Sequence, residues 1–543
     1  MRHTHPDKPM EPHRQAIDAV RLSTAVSAEP SIAPRAAAWP IRLFSLSVAS
    51  CWIWAILIGW LSGSQLLLWR FLGAAPLWAY ALGSIVISGL AVFTVKIIKN
   101  TNPTRISVGT LLTCFLIVLA LLVLSGEGRF FYANIDWQVR FAVLRDMGLN
   151  PWPFVYTARP EPDLLRAPIG MFLFPALVFK ALGPRAADMA LLVQNATLIA
   201  LLLALASQLF TDRRSRLIGL AVIIFFSGMD AIGDLLMQGM LTGHMEDWAE
   251  IQYSSTITLL FWVPQHALSA WIGAVGYMLW REGRLPLAPW LALLPLTALW
   301  SPLGLMGAMP FVALAGVRTL MARALHWRDF AVPAVSLALC IPTLVYLGAA
   351  SDDVGLHFQP IPFVQWLLFQ TFETLPYLIP LAIAGGTTRF GRDSLWLAFA
   401  WLMLIPFVKI GWSTDFMMRG SITALTLVAV MVSDHVARQG ERRGWFLIVL
   451  AIGSLTGFAE IRRALVYPSA PEVRCTFFKA WDQTFASFPK GSYLAPLDKV
   501  PALIRPAHPA RASATEPASC WAGRWNIPYD PRNAPSDRKD GVK

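Results

Sequence analysis

Charge is what this sequence has least of. Lys, Arg, Asp and Glu make up 14% of its 543 residues, hydrophobic residues 56%, and the mean hydropathy is +0.52. Soluble domains carry about a quarter charged residues, so this composition excludes one. Recognisable catalytic loops are also missing. There is no Walker motif, no Gly-rich phosphate loop and no HExxH, which removes the common nucleotide-phosphate and zinc-protease readings. No regular internal repeat is present, nor the ten-residue alternation of an outer-membrane barrel. Cysteine is scarce too: five residues, of which Cys51, Cys114 and Cys340 lie in apolar stretches.

What is there is long apolar runs, recurring from residue 40 to about 460. A hydrocarbon core of ~30 Å needs ~20 helical residues, and backbone in lipid must satisfy itself, so these runs are transmembrane helices. The net charge of +12 sits largely in short connectors between them. That is the positive-inside pattern, which reports topology and not nucleic acid. Residues 1–39 are polar, Pro-rich and without an apolar core, and read as a disordered cytoplasmic arm.

Alternating from an inner amino terminus places "KIIKNTNPTRIS" inside and opens a long outer loop over 126–167. The segment 168–183 is too short to cross; treating it as a span would also put "TDRRSR" outside. It reads as a re-entrant or interfacial helix. Continuing the alternation predicts an all-α polytopic protein with about thirteen crossings over 40–460. Residues 461–543 then form a small periplasmic tail in which Cys475 and Cys520 can pair, since that compartment is oxidising.

The outer face collects the residues able to do chemistry. "DWQVR" and "DFMMR" share Asp-x-x-x-Arg spacing, so Asp136 with Arg140 and Asp415 with Arg419 fall on one helix face, a turn apart. One reading is mutual neutralisation at the interface. The other is that an arginine grips a phosphate while Asp136 handles a proton, since guanidinium suits bidentate phosphate contact. His266 follows a helix-breaking Pro264 and must face a partner or a cavity. Glu373 carries the same two readings. The segment "HMEDWAEIQY", with His244, Glu246, Asp247 and Glu250, reads as a solvated acidic loop, since its ligand spacing matches no metal motif.

Three stretches, "NIDWQVRFAVLRDM", "APIGMFLFPALVFKALG" and "RAADMALLVQNATLIALLLALASQLFTDRRSRLIGLAVIIFFSGMD", together resemble the GT-C superfamily of integral-membrane glycosyltransferases. The resemblance covers roughly residues 108–435. It implies a GT-C-like bundle, a polyprenyl-phosphate-linked sugar as donor, and Asp136 as the loop carboxylate that acts as general base or helps hold a divalent cation. Arg140, Arg419 and Asp415 with His266 would then bind substrate. The family commonly carries two acids close together in this loop, whereas here Glu127 and Asp146 stand nine and ten residues from Asp136. A multi-span transporter or lipid flippase, and an inactive GT-C-like accessory protein, are the competing expectations.

Overall fold

The computed structural model describes residues 46–525, apart from 102, 384–388, 412, 439–441, 486–487, 514–515 and 524. The arm expected over 1–39 lies outside the described residues. The chain is a bundle of helices, numbered here in order: α1 Ser50–Leu72, α2 Leu77–Thr101, α3 Val108–Leu124, α4 Ile135–Leu149, α5 Gly170–Leu182, α6 Pro184–Ala206, α7 Arg213–Ile224, α8 Asp230–Gln238, α9 Thr256–Trp262 and α10 Pro264–Arg281. The second half contains α11 Leu287–Leu296, α12 Pro302–Met321, α13 Arg328–Gly348, α14 Phe363–Glu373, α15 Leu375–Ile383, α16 Arg392–Leu404, α17 Asp415–Gly420, α18 Ile422–Ala437, α19 Arg443–Val466 and α20 Phe477–Phe485.

This is an all-α membrane protein. Among the described residues seven helices are long and apolar enough to cross a bilayer, or eight if α14 and α15, bent by 67° at Thr374, form one span. The shortfall from thirteen has a physical cause: several apolar segments are short or interrupted. Proline stops one helix at Val263, and α3, α7, α11 and α16 are only 17, 12, 10 and 13 residues long. Ser47–Ala49 (β1) pairs antiparallel with Arg105–Ser107 (β2), and the first described helix follows from Ser50.

Hydrogen bonds sort the connectors into two ends. At one, Gln208 donates to Thr104 Oγ1 (2.7 Å), Arg284 donates to the Gln208 carbonyl (2.5 Å), and Arg389 pairs with Glu282 and Asp434. Asp393 holds Arg281 and Arg318 at that same end. At the other, Arg70 donates to the Trp152 carbonyl, and Lys180 to the carbonyls of Gly148 and Asn150. Helix α5 belongs wholly to this second end. Lys180 ties its last turn to the end of α4, and Ala167, just before it, donates to the Tyr346 hydroxyl at the close of α13.

The tail caps the second end. Strands Phe154–Val155 (β3) and Asp163–Leu165 (β4) in the 126–167 loop pair with Ala510–Arg511 (β8) and Leu494–Pro496 (β7) from the tail, while Leu356–Phe358 (β5) pairs with Val408–Ile410 (β6) beside them. Trp525 donates to the Ala133 carbonyl, and a disulfide joins Cys475 to Cys520. The tail is therefore built into the loop and does not stand apart from it.

Asp146 is the pin between them. Its buried carboxylate oxygen accepts from the Phe477 amide (2.8 Å) and the Tyr156 hydroxyl (2.9 Å), and burial pushes its pKa up to about 7 from the ordinary 3.8. A carboxyl that keeps its proton longer when folded stabilises the docked tail fully below pH 3.8, and that contribution is lost as pH rises through about 7. Tail docking, followed by hydrogen exchange of the Phe477 amide, should thus weaken between pH 4 and 7 by on the order of 1 kcal/mol per unit. Asp146→Asn should flatten this dependence; an unchanged profile in that variant would remove Asp146 as its source.

Candidate functional site

The site begins at a broken helix. Proline has no amide hydrogen and clashes with the preceding turn, so α9 ends at Trp262 and α10 starts at Pro264. The Phe261 carbonyl at the break accepts from Asn134 Nδ2 (2.8 Å) and Trp137 Nε1 (2.9 Å). Asn134 also caps α4 by accepting from the Asp136 amide (3.1 Å). The first turn of α4 is thereby fixed to the break, and Arg140 is carried toward His266, whose Nδ1 lies 2.6 Å from Ser301 Oγ.

Helix α17 reaches the same place through a glycine contact. A Cβ on Gly307 of α12 would stand 2.3 Å from the Gly420 carbonyl, so the two backbones touch there and only glycine fits. Gly307→Ala should push α17 and its Arg419 away, at a cost of about 1–3 kcal/mol of overpacking. The check is the thermal midpoint of the purified protein in lipid; a variant as stable as the parent would mean the helices separate freely.

Both i,i+4 ion pairs form. Arg140 Nη2 lies 2.8 Å from Asp136 Oδ2 and Arg419 Nη2 lies 3.0 Å from Asp415 Oδ1. Their burial is unequal: the arginine side chains are 5% and 9% exposed, the aspartates 23% and 45%. The guanidinium groups lie deeper and the carboxylates nearer the opening. Arg140 Nη1 and Arg419 Nε are buried without a hydrogen-bond partner among the described residues. Both guanidinium groups act electrostatically on His266. The structure therefore brings Asp136, Arg140, His266, Asp415 and Arg419 together at the capped end of the bundle.

The two other acids of the loop diverge. Glu127 is buried behind Arg140, takes hydrogen bonds from Asn195 on both oxygens (3.1 and 3.2 Å), and burial raises its pKa well above the carboxylate range. Asp146 faces the tail. No group of three or more His, Cys, Asp or Glu among the described residues is placed to hold a metal ion, so the expected divalent cation has no ready ligand set.

Beneath the charged groups the bundle opens into apolar space. A narrow apolar pocket is lined by Ile117, Leu202, Ile224, Leu260, Val275 and Val430, among others. A smaller one shares Ile223, Thr256, Trp271 and Thr426 with it and extends to Leu259 and Ile422. Leu259, Val263, Ala267 and Ile422 pack together. The apolar space thus climbs to the helix break and to the residue that opens α18, directly after the Arg419 segment.

The segment around Glu246 is solvated only in part: Asp247 and Glu250 are exposed. Glu246 is 1% exposed, and accepts from the Ser255 amide (2.8 Å) and from Gln252 (2.5 Å). The Glu246 carboxylate caps backbone inside the fold. Asp230, missed in the sequence, is buried beside Glu246 and Glu373 and accepts from Ser227 (2.6 Å) and Thr456 (2.9 Å). Glu373 accepts from Trp248 Nε1 (3.2 Å). His244 pairs with Glu460 (2.9 Å), which also holds Arg463 (2.7 Å). These groups tie α8, α14 and α19 together, and Glu460 also accepts from Nε1 of Trp262 (3.1 Å), the last residue of α9.

The tail adds one residue that sequence reasoning missed. Tyr493, in the tail, lies within electrostatic reach of Arg140, Asp136 and Asp415. Its position, far along the chain in a polar tail, gave no periodic or motif signal. No family model, curated protein or solved structure matches this chain.

Proposed function

We propose that this chain is a membrane glycosyltransferase of GT-C-like architecture, taking a sugar from a polyprenyl-phosphate donor. The observation that carries the reading is the convergence of two buried arginines, each with an unpaired nitrogen, above an apolar cavity inside the bundle. Unmet buried donors cost ~1–3 kcal/mol each, and a phosphate oxygen removes that cost. The apolar space below suits the isoprenoid chain, so one molecule with an anionic head and a long hydrocarbon tail fits both parts.

In this mechanism Arg140 and Arg419 hold the donor phosphate and stabilise the charge that builds on it as the sugar leaves. Asp136, the more exposed partner of Arg140, accepts the proton of the attacking acceptor hydroxyl. His266 is held by Ser301 at the floor of the site. Asp415 keeps Arg419 aligned.

The same reading takes the short and broken helices as crossings, giving thirteen with the capped end on the periplasmic face of a bacterial inner membrane. The opposite end, rich in Arg281, Arg284, Arg318 and Arg389, would then be cytoplasmic, following the positive-inside rule. The test is direct: purified protein in a bilayer, given a labelled polyprenyl-phosphate sugar, should release polyprenyl phosphate when an acceptor extract is added. A donor that stays intact across sugars and acceptors, although it binds, would favour the flippase reading, in which the head group is moved and not cleaved.

A further inference from the structure

Between the close of α13 and the start of α14 the chain contributes one strand of a two-stranded ribbon. Leu356–Phe358 runs antiparallel to Val408–Ile410, and the ladder continues at both ends: Gln359 donates to the Phe407 carbonyl (2.8 Å) and Gly411 to that of Gly355 (3.2 Å). Directly opposed residues share a face and successive residues alternate. Leu356 with Ile410 and Phe358 with Val408 therefore make one face apolar, while His357 opposite Lys409 makes the other basic.

The protein covers only half of the apolar face. Val408 and Ile410 pack against the core, whereas Leu356 and Phe358 stand out from it, 71% and 74% exposed. Strand β6 rests on protein and β5 overhangs. The bare surface does not stop there. Phe358 stacks on Phe407 (6.0 Å, 6°), Phe407 meets Trp366 (6.0 Å), and Trp366 meets Phe363 (5.8 Å) in the first turn of α14. Phe363 and Val364 are exposed, and one turn on so are Leu367 and Leu368. Helix α14 with α15 has the length and hydropathy of a crossing, so this flank meets hydrocarbon. The chain of rings carries the flank without a gap onto the ribbon. Trp366 Nε1 donates to the Met403 carbonyl (3.1 Å), which holds the joining indole in place. A tryptophan at this level, with a lysine on the facing side of the ribbon, is what the boundary between water and lipid favours.

We propose that the β5–β6 ribbon is seated in the lipid leaflet at the capped end, with Leu356 and Phe358 among the acyl chains and Lys409 at the level of the headgroups. The inference rests on the membrane reading of the bundle and stands whichever chemistry the site performs. It has a consequence for that site. Asp415 opens α17 shortly after Ile410 ends β6, so a seated ribbon keeps the Arg419 segment close to the plane of the lipid phosphates.

The experiment is depth-dependent quenching on the full chain in lipid nanodiscs, with a thiol-reactive fluorophore at single introduced cysteines. Cys51, Cys114 and Cys340 are buried and Cys475 is bonded to Cys520, so the labelled parent serves as the blank. Labels at Leu356→Cys and Phe358→Cys should lose most of their emission to lipids carrying a nitroxide on the acyl chain, and keep it against iodide in the water. A label at Asp352→Cys, in the exposed turn before the ribbon, should do the reverse. A label at Lys409→Cys should be quenched by a nitroxide on the headgroup. Adding Leu356→Asp/Phe358→Asp, which alters no core side chain, should lift the ribbon and abolish that headgroup quenching. Labels at Leu356→Cys and Phe358→Cys that iodide reaches as readily as Asp352→Cys would put the ribbon in water, and labels shielded from both quenchers would put a second protein chain over it. Either result overturns the proposal, as does headgroup quenching at Lys409→Cys that persists beside the two aspartate substitutions.

Discussion

Arg419→Gln should weaken binding of a polyprenyl phosphate by about ten- to a hundredfold, the equivalent of ~1.5–3 kcal/mol for hydrogen bonds to a charged group. The argument is one of burial. The Arg419 side chain is 9% exposed, gives one nitrogen to Asp415, and has its Nε buried with no partner among the described residues. Glutamine keeps a polar end of similar reach but carries no charge and cannot span two phosphate oxygens. Because Asp415 is 45% exposed, it returns to solvent when its partner is removed, and the variant should insert and fold normally. Isothermal titration with a short-chain prenyl phosphate reads the loss. Affinity within twofold of the parent would take Arg419 out of the site.

Asp136→Asn should have the larger effect on turnover, about 10²–10⁴-fold, with donor binding almost unchanged. Asn retains the α4 first-turn geometry and still accepts from Arg140, so the fork of the guanidinium stays where it is. What it cannot do is take the acceptor proton. Single-turnover transfer of labelled sugar, measured beside donor affinity, separates the two. If turnover and affinity fall together, Asp136 holds Arg140 in place and does no proton chemistry. If neither falls, the i,i+4 pair is a structural neutralisation and no more.

Much of this was legible in the sequence because membrane helices announce themselves by length and hydropathy. The segments around Leu77–Thr101, Pro184–Leu209 and Arg443–Val466 could be read directly, and the 168–183 stretch could be set apart by its short apolar length. Asp-x-x-x-Arg spacing is also local, so each Asp could be matched with its own Arg. The convergence of the two pairs was not readable, since it depends on Phe261 accepting from Asn134 and Trp137 and on Gly307 touching Gly420. Such contacts join distant segments and leave no periodicity.

The errors were equally physical. Glu246 lies in a segment free of Lys and Arg, and charge pattern alone could not distinguish a solvated carboxylate from one bonded to Ser255 and Gln252. Tyr493 sits in a tail whose order comes from two short strand pairings with the 126–167 loop and from docking onto Asp146. A tail of that composition gave no reason to expect it beside the site. The break at Ser421 belongs to the same class, since no proline marks where α17 gives way to α18.

The central claim is that Arg140 and Arg419 form an anion site joined to an apolar cavity, and competition binding tests it most directly. Prenyl phosphate, prenyl alcohol and inorganic phosphate are titrated against the parent protein in nanodiscs and against Arg140→Gln/Arg419→Gln. The parent should bind prenyl phosphate far more tightly than either fragment, and the double variant should bind it no better than the alcohol. Equal affinity of the parent for the phosphate and the alcohol, or an unchanged preference in the double variant, would contradict the account.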